Sequence, residues 1–405
     1  MTPDSLPVPP IAFETHFWTV ERSGRHPRSA IALATGEYQS ALPQRIADLE
    51  ISFPSVLAAD VAEATGALAR FDQHAAARLG IGSQALGPLS SVLLRTESTS
   101  SSQIENLTVG ARQLARAEIG QSTSTNADAV VANVAAMEAA LSLADKLDLD
   151  AVLSVHRALL SGQRGWEHHA GTLRDQLVWV GTSSISPRGA QHVAPQPEHV
   201  PELIKDLLLF TKRDDIPALA QAALAHAQFQ TIHPFADGNG RTGRALMQAM
   251  LRNKALVVNA TVPLSAGLLT DTEGYFSAIR SYQSGDGRPI VERFVEASLF
   301  AASSGSELVD ALAEVVSELE GRIADVRADS TAWRVIPLLV SNPALTTQFL
   351  AVKLGVTDAV ALRALAVLTE RGVLVERSGK QRNRVWEQPD ILSVLDAYAA
   401  SLIRR

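Results

Sequence analysis

The 405-residue chain contains no cysteine. That absence excludes disulfide bonds, thiolate nucleophiles and cysteine-based zinc sites. No uncharged apolar run reaches membrane-spanning length, so no membrane span is expected. The opening residues, Met-Thr-Pro-Asp-Ser-Leu-Pro, lack both the basic start and the apolar centre of a secretory leader, and a cytoplasmic location is expected. No internal repeat stands out. What is present is ordinary for a globular protein: 46% hydrophobic and 20% charged residues, enough for two or three domains with real cores.

Against that background one run is unusually informative. Residues 233 to 244 read His-Pro-Phe-Ala-Asp-Gly-Asn-Gly-Arg-Thr-Gly-Arg. His233 can accept a proton near neutral pH. Asp237 offers a hard oxygen of the kind Mg²⁺ takes from nucleotide-binding proteins. Gly238 and Gly240 let the backbone approach a ligand closely. The apolar, helix-prone stretch from Arg241 to Asn253 predicts a helix opening directly from the glycine turn, with its first amides facing an anion. Arg241 and Arg244, three apart, share one face near that helix start, an arrangement suited to a polyphosphate. Each part alone is most often structural. Together, in this order, they point to phosphate chemistry.

The run resembles the signature of the Fic (Fic/Doc) family, His-x-Phe-x-(Asp/Glu)-Gly-Asn-Gly-Arg-x-x-Arg, at every fixed position. The resemblance implies a mainly α fold, a Fic-type helical core with a β-hairpin flap. It extends to the apolar helical stretch Ile216–Ile232 ahead of the motif, within which His226 is expected to be packed and not catalytic. It extends also to Arg174-Asp-Gln-Leu-Val-Trp-Val-Gly181 and the turn-rich residues through Pro195, whose alternation predicts a hairpin. In the family that hairpin is the flap, pairing with an extended segment of a target protein by strand addition. The implied activity is protein adenylylation, the transfer of AMP from ATP to a Ser, Thr or Tyr hydroxyl. His233 would be the base, Asp237 the Mg²⁺ ligand, and Gly238, Asn239, Gly240, Arg241 and Arg244 the nucleotide-binding residues.

A second run, Ser101-Ser-Gln-Ile-Glu-Asn106, resembles the inhibitory motif of autoinhibited Fic proteins, (Ser/Thr)-x-x-x-Glu-(Gly/Asn). Ser101 and Glu105, four apart, would share one helix face. By resemblance Glu105 pairs with Arg244 and denies it to the γ-phosphate, and Asn106 completes the motif. Removal of AMP by the same site, with Glu105 orienting a water, is also known in the family. Two alternatives stay open: transfer of a different phosphate-containing group, and a transcriptional regulator in which the core only senses nucleotide.

Periodicity predicts helices over Val56–Leu79, Leu86–Ala117, Ala127–Lys146, Asp148–Ser161, Val200–Thr211, Leu264–Ser284, Pro289–Ala302 and Ser303–Ala328, after an irregular stretch to about Ser55 with extended pieces. The expected organisation is an N-terminal helical region over 1–120 with the inhibitory helix at about 98–107. A Fic core over 121–302 follows, with the flap at 174–195, then a linker helix over 303–329 and a separate module over 330–405. That module reads as a helix at Trp333–Val340, a Thr346-capped helix to Leu354, a third helix over Asp358–Arg371, and a hairpin of Val373–Arg377 with Arg384–Glu387 around 378–383. The pattern resembles a winged helix. From Thr331 to Arg405 there are ten Lys plus Arg against six Asp plus Glu, while the whole chain carries −7. Arg377, Lys380, Arg382 and Arg384 could meet DNA phosphates. The expected recognition helix offers only Arg363 for reading bases. The residues leave DNA, a partner protein and a dimer mate equally open as its partner.

Overall fold

A computed structural model describes residues 5–20, 27–78, 86–161, 163, 165–181, 183–377 and 384–403. In chain order its elements are β1 (Ala12–Trp18), α1 (Arg28–Ala34), β2 (Gly36–Leu42), α2 (Ser55–Arg78), α3 (Leu86–Ile104), α4 (Ala111–Glu118) and α5 (Thr125–Ser142). Then come α6 (Leu149–Leu160), β3 (Trp179–Val180), β4 (His192–Val193), α7 (Val200–Phe210), α8 (Ala218–Ile232), α9 (Asn239–Asn253), α10 (Leu264–Leu269), α11 (Thr272–Gln283) and α12 (Arg288–Arg322). The last are α13 (Thr331–Ser341), β5 (Ala344–Leu345), α14 (Thr347–Leu354), α15 (Asp358–Glu370), β6 (Val375–Glu376), β7 (Trp386–Glu387) and α16 (Pro389–Ile403). The expected mainly α fold is what is found. Among the described residues no helix is long and apolar enough to cross a membrane.

Two compact units interleave along the chain. One comprises residues 1–63, 139–254 and 272–295; the other comprises 64–138, 255–271 and 296–405.

The first unit is organised around α8. Its sequence, ALAQAALAHAQFQTI, is apolar on nearly all sides, and all its residues but Ala218 and Gln230 are buried. A helix apolar all round has to be surrounded. Helices α6, α7, α9 and α11 belong to the same unit, and α7, α9 and α11 pack directly on α8. Buried side chains bond across it: Gln221 donates to the carbonyls of Phe210 (2.7 Å) and Arg213 (2.9 Å), and the Tyr282 hydroxyl donates to Gln228 (2.9 Å). Close approach of α9 to α8 depends on Gly243, where a Cβ would lie 2.7 Å from Gln230 Nε2 and 2.9 Å from Phe229 Cδ1.

The stretch expected to be irregular contains a regular hairpin. β1 pairs antiparallel with β2 from Ala12↔Leu42 to Trp18↔Gly36. Its strands are joined through α1, so no short turn announced the pairing.

The second unit is built around α3, which packs on α10 and α13. Glu97 on α3 is fully buried, and its carboxylate accepts from the Ser265 amide (2.7 Å) and hydroxyl (2.6 Å). Asn133 donates to the Ser98 carbonyl (2.8 Å). The single helix expected over Leu86–Ala117 is two, α3 and α4. The break is a helix C-cap: Leu107 N–H bonds to Ser102 C=O (3.0 Å), Asn106 N–H to Gln103 C=O (2.9 Å), and Asn106 has φ 62°. This is a Schellman arrangement, and asparagine is second to glycine in tolerating its left-handed position.

The helices expected at Pro289–Ala302 and Ser303–Ala328 are the single α12, and Leu264–Ser284 is split into α10 and α11 at Thr270–Asp271. Beyond α12 the order is helix, strand, helix, helix, strand, strand, helix, with a three-stranded sheet ordered β5-β7-β6. Thr346 caps α14, Thr357 caps α15, and Gly355 ends α14 at φ 63°. The expected hairpin pairs Val375↔Glu387 and Glu376↔Trp386, and its turn over 378–383 lies outside the described residues, with Lys380 and Arg382. Strand β5 had no periodic signal, being two residues long. These C-terminal residues share a core with α4: Ala115 clusters with Ala344, Val385 and Leu392. Asp396 caps α4 by accepting from the Ala111 amide at 2.9 Å. Buried Glu387 is held by Arg116 at 2.6 Å and Arg112 at 3.1 Å.

Candidate active site

All seven signature residues named from the sequence lie in the first unit, on the end of α8 and the start of α9. α8 stops at His233, which takes the left-handed conformation (φ 50°, ψ 61°) while its amide still bonds to Phe229 C=O at 2.9 Å. That conformation costs a non-glycine residue about 1–2 kcal/mol, and such strain concentrates at functional sites. His233 Nδ1 lies 3.2 Å from the Gln230 carbonyl. A carbonyl can only accept, so this bond requires the proton on Nδ1.

The loop that follows is closed by its own side chains. Asn239, buried, accepts from the Phe235 amide (2.9 Å) and donates to the Phe235 carbonyl (2.8 Å). Gly238 is the residue before α9, at φ 76°, and a Cβ there would meet Leu159 Cδ2 at 2.8 Å. Both its backbone and its surroundings demand glycine. Thr242 N–H bonds to Gly238 C=O at 2.9 Å, so the amides of Asn239 and Gly240 precede the intrahelical ladder at the positive end of the helix dipole.

Arg241 and Arg244 are expected from sequence on one helix face, and both are buried, at 5% and 1% exposure. Arg241 Nη2 lies 3.3 Å from Asp237 Oδ2, while the Asp237 carboxylate keeps 40% exposure. Among the described residues no group of three or more His, Asp or Glu could hold a metal. One half-exposed carboxylate suits a cation whose remaining ligands are phosphates and water.

Three site residues were missed. His156 on α6 lies beneath the loop: its ring stacks on Phe235 (3.7 Å, 7°), its Nδ1 accepts from Gly171 N–H (3.0 Å), and its Nε2 donates to Asp237 C=O (3.0 Å). Burial pushes it down to about 4, so it is neutral. Arg174, at the start of the flap, is buried and donates to the carbonyls of His233 (2.7 Å) and Pro195 (2.6 Å); burial lowers it to about 10. His192 on β4 bonds to the Thr231 carbonyl (2.9 Å), with its ring 6.4 Å from that of His233. In sequence each looks like a lone His or Arg in an apolar segment, and only the fold turns it toward the motif. His226, expected to be packed, is buried with Nε2 2.7 Å from the Tyr275 hydroxyl, and burial and the Arg244 charge push it down to about 3.

The flap pairs Trp179↔Val193 and Val180↔His192, with Thr182 of its turn outside the described residues. Its tip is tied to the N-terminal hairpin: Trp18 Nε1 donates to Ile185 C=O (2.8 Å), and Arg188 donates to the carbonyls of Leu33 (2.6 Å) and Thr35 (2.8 Å).

The residues of the expected inhibitory run lie in the second unit. Ser101 is buried within α3, Glu105 is exposed in the turn just past its end, and Asn106 is the left-handed cap. Glu105 directly follows the last residue of α3, and its amide still bonds to Ser102 C=O at 3.0 Å.

The left-handed helix end at His233, the Gly238-capped start of α9 and the two buried arginines thus stand together in one helical unit. Comparison with known proteins gives the following likenesses. Residues 146–251 match the model of the Fic/DOC family, and residues 58–142 match that of the Fic/DOC family N-terminal region. The chain is 30% identical over 150 residues to protein adenylyltransferase fic-1 of Caenorhabditis elegans, covering 36% of this chain and 26% of that protein. It is 31% identical over 154 residues to protein adenylyltransferase Fic of Nematostella vectensis, covering 37% of this chain and 32% of that protein. The chain thus spans about a third or less of these relatives' length. A solved Fic family protein from Desulfovibrio desulfuricans G20 aligns with 82% of this chain and 94% of its own at 23% identity, with a TM-score of 0.48. The two matched stretches, residues 58–142 and 146–251, follow one another along the chain.

Proposed function

We propose that the chain is a protein adenylyltransferase that moves AMP from ATP to a Ser, Thr or Tyr hydroxyl of a target protein bound along the flap. The observation that carries this reading is His233: a ring anchored through Nδ1 beside a glycine-capped helix start. The target hydroxyl gives its proton to Nε2 of His233 as its oxygen attacks the α-phosphorus. The bond from that phosphorus to the bridging oxygen breaks, pyrophosphate leaves, and AMP remains on the target. Gly238, Asn239 and Gly240 hold the α-phosphate through the loop and the first amides of α9, and Arg241 and Arg244 hold the β- and γ-phosphates. Positioning and charge are what phosphoryl-type transfer needs from a protein. Mg²⁺, when bound at Asp237, neutralises charge on the phosphates and fixes their geometry. Glu105 inhibits by pairing with Arg244, and the same site is able to remove AMP with Glu105 orienting a water.

For residues 330–405 the helix, strand and sheet order supports a winged helix. Protein docking is the favoured role over DNA. Arg377 and Arg384 are already engaged with Glu387 and Glu376, and the outer side of α15 carries exposed Leu362 beside Arg363.

Incubating the Glu105→Gly protein with Mg²⁺, host lysate and ATP labelled at the α- or the γ-phosphate tests the reaction. Label on protein from α-labelled ATP alone is expected. Label from γ-labelled ATP, or from neither, would overturn it.

A further inference from the structure

Arg174 is 4% exposed, and no carboxylate lies within ion-pair distance of it among the described residues. A buried guanidinium in that position is costly unless its donors are all used. Here four of its five N–H donors go to main-chain carbonyls. Nε donates to His233 (2.7 Å), Nη1 to Gln176 (2.9 Å), and Nη2 to Pro195 (2.6 Å) and Ile232 (3.4 Å). Its own amide bonds to the carbonyl of Pro234 at 3.0 Å.

These acceptors belong to three segments. His233 and Ile232 are the left-handed end of α8, Gln176 leads into the flap, and Pro195 leads out of it. One planar fork thus joins the helix end that bears the base to both roots of the hairpin. The pinned His233 carbonyl belongs to a residue held in the left-handed conformation. A turn of that peptide would swing the imidazole and break its Nδ1 bond to Gln230. Lysine could not replace the arrangement, because an ammonium is a point donor and cannot serve carbonyls in divergent directions from one plane.

We propose that Arg174 is a positioning residue, holding the His233 ring in its Nδ1–H state and fixing the flap's register to it. The inference rests on the adenylylation reading for its effect on rate, and on geometry alone for its effect on the ring. A target strand laid along the flap is thereby placed at a set distance from the base, since flap and base are held by the same side chain.

The test uses the full chain with Glu105→Gly as parent, and compares Arg174→Lys and Arg174→Ala with it. Thermal unfolding, KM for ATP, kcat of automodification and the ¹⁵N signals of the His233 imidazole are measured together. Expected are an ATP KM within about twofold of the parent and a kcat lower by about 10²-fold, the scale of a 1 Å misplacement at a reacting centre. The His233 ring should lose its single Nδ1–H tautomer in both variants. Millimolar guanidinium should restore part of the alanine variant's kcat without raising its unfolding temperature. Unchanged kcat and ring signals would overturn the proposal. So would a kcat that falls only in step with the unfolded fraction while the ring signals stay put. Should the parent transfer no AMP at all, the function reading fails and the ring signals alone decide Arg174.

Discussion

Acidification should loosen the signature loop through His156, and replacing that residue should remove the effect. The ring has no room for a second proton. Its Nδ1 accepts from Gly171 N–H, so protonation sets two donors against each other, while Nε2 already donates to the Asp237 carbonyl. Burial is the largest cause that pushes the group down to about 4 from its ordinary value of 6.5. Between those values the unfolded chain takes up a proton that the folded protein refuses, so stability falls as pH falls through 6.5 and levels off below about 4. The linkage over pH 7 to 5 amounts to about 2 kcal/mol, from about 1.4 kcal/mol per pKa unit.

Urea unfolding of the wild-type protein and of His156→Phe at pH 7, 6 and 5 measures it. Phenylalanine keeps a ring against Phe235 but has no proton to gain. It will be less stable at pH 7 by roughly 1–3 kcal/mol, since it leaves a buried amide and a carbonyl unpaired. Its further loss from pH 7 to 5 should be smaller than the wild type's by about 2 kcal/mol. Every other titrating group, buried His226 included, is common to both proteins and cancels. Equal losses in the two proteins would refute the argument.

His233→Ala in a Glu105→Gly background should lower AMP transfer by about 10²–10⁴-fold while leaving ATP binding in place; undiminished transfer would remove His233 from the mechanism. Glu105→Gly alone should raise automodification well above wild type, and adding Arg244→Ala should reverse the gain, as followed with α-labelled ATP; equal rates in wild type and Glu105→Gly would end the inhibitory reading. Deleting residues 330–405 removes Asp396 and Glu387 from α4 and uncovers Ala115, so the remaining chain should unfold at a lower temperature by calorimetry; an unchanged transition would show that α4 stands without that module.

The sequence was most informative where chemistry and local backbone demand coincide. Gly238 needs a left-handed φ and a missing Cβ, and Asn239 needs an amide that closes a loop on Phe235 in both directions. Requirements of that kind leave a residue no substitute, so the run from 233 to 244 could be recognised whole. Asn106 belongs to the same class. Its left-handed φ caps α3, yet periodicity alone carried the helix past it to Ala117.

What stayed hidden depends on contacts between residues far apart in the chain. His156 is 81 residues from the carbonyl it holds, and Arg174 is 59 from His233, whose carbonyl it holds. Each acts on main-chain atoms, and a carbonyl is offered by every residue alike, so no complementary residue type marks the pair in the sequence. The same reasoning explains the β1–β2 hairpin, whose bonds are main-chain ladders closed through α1. A phosphate site is built from two kinds of residue. Those that touch the ligand must carry particular chemistry and can be read directly. Those that hold the first set in place need only be buried donors or acceptors of the right shape, and they become visible when the fold has brought their carbonyls together.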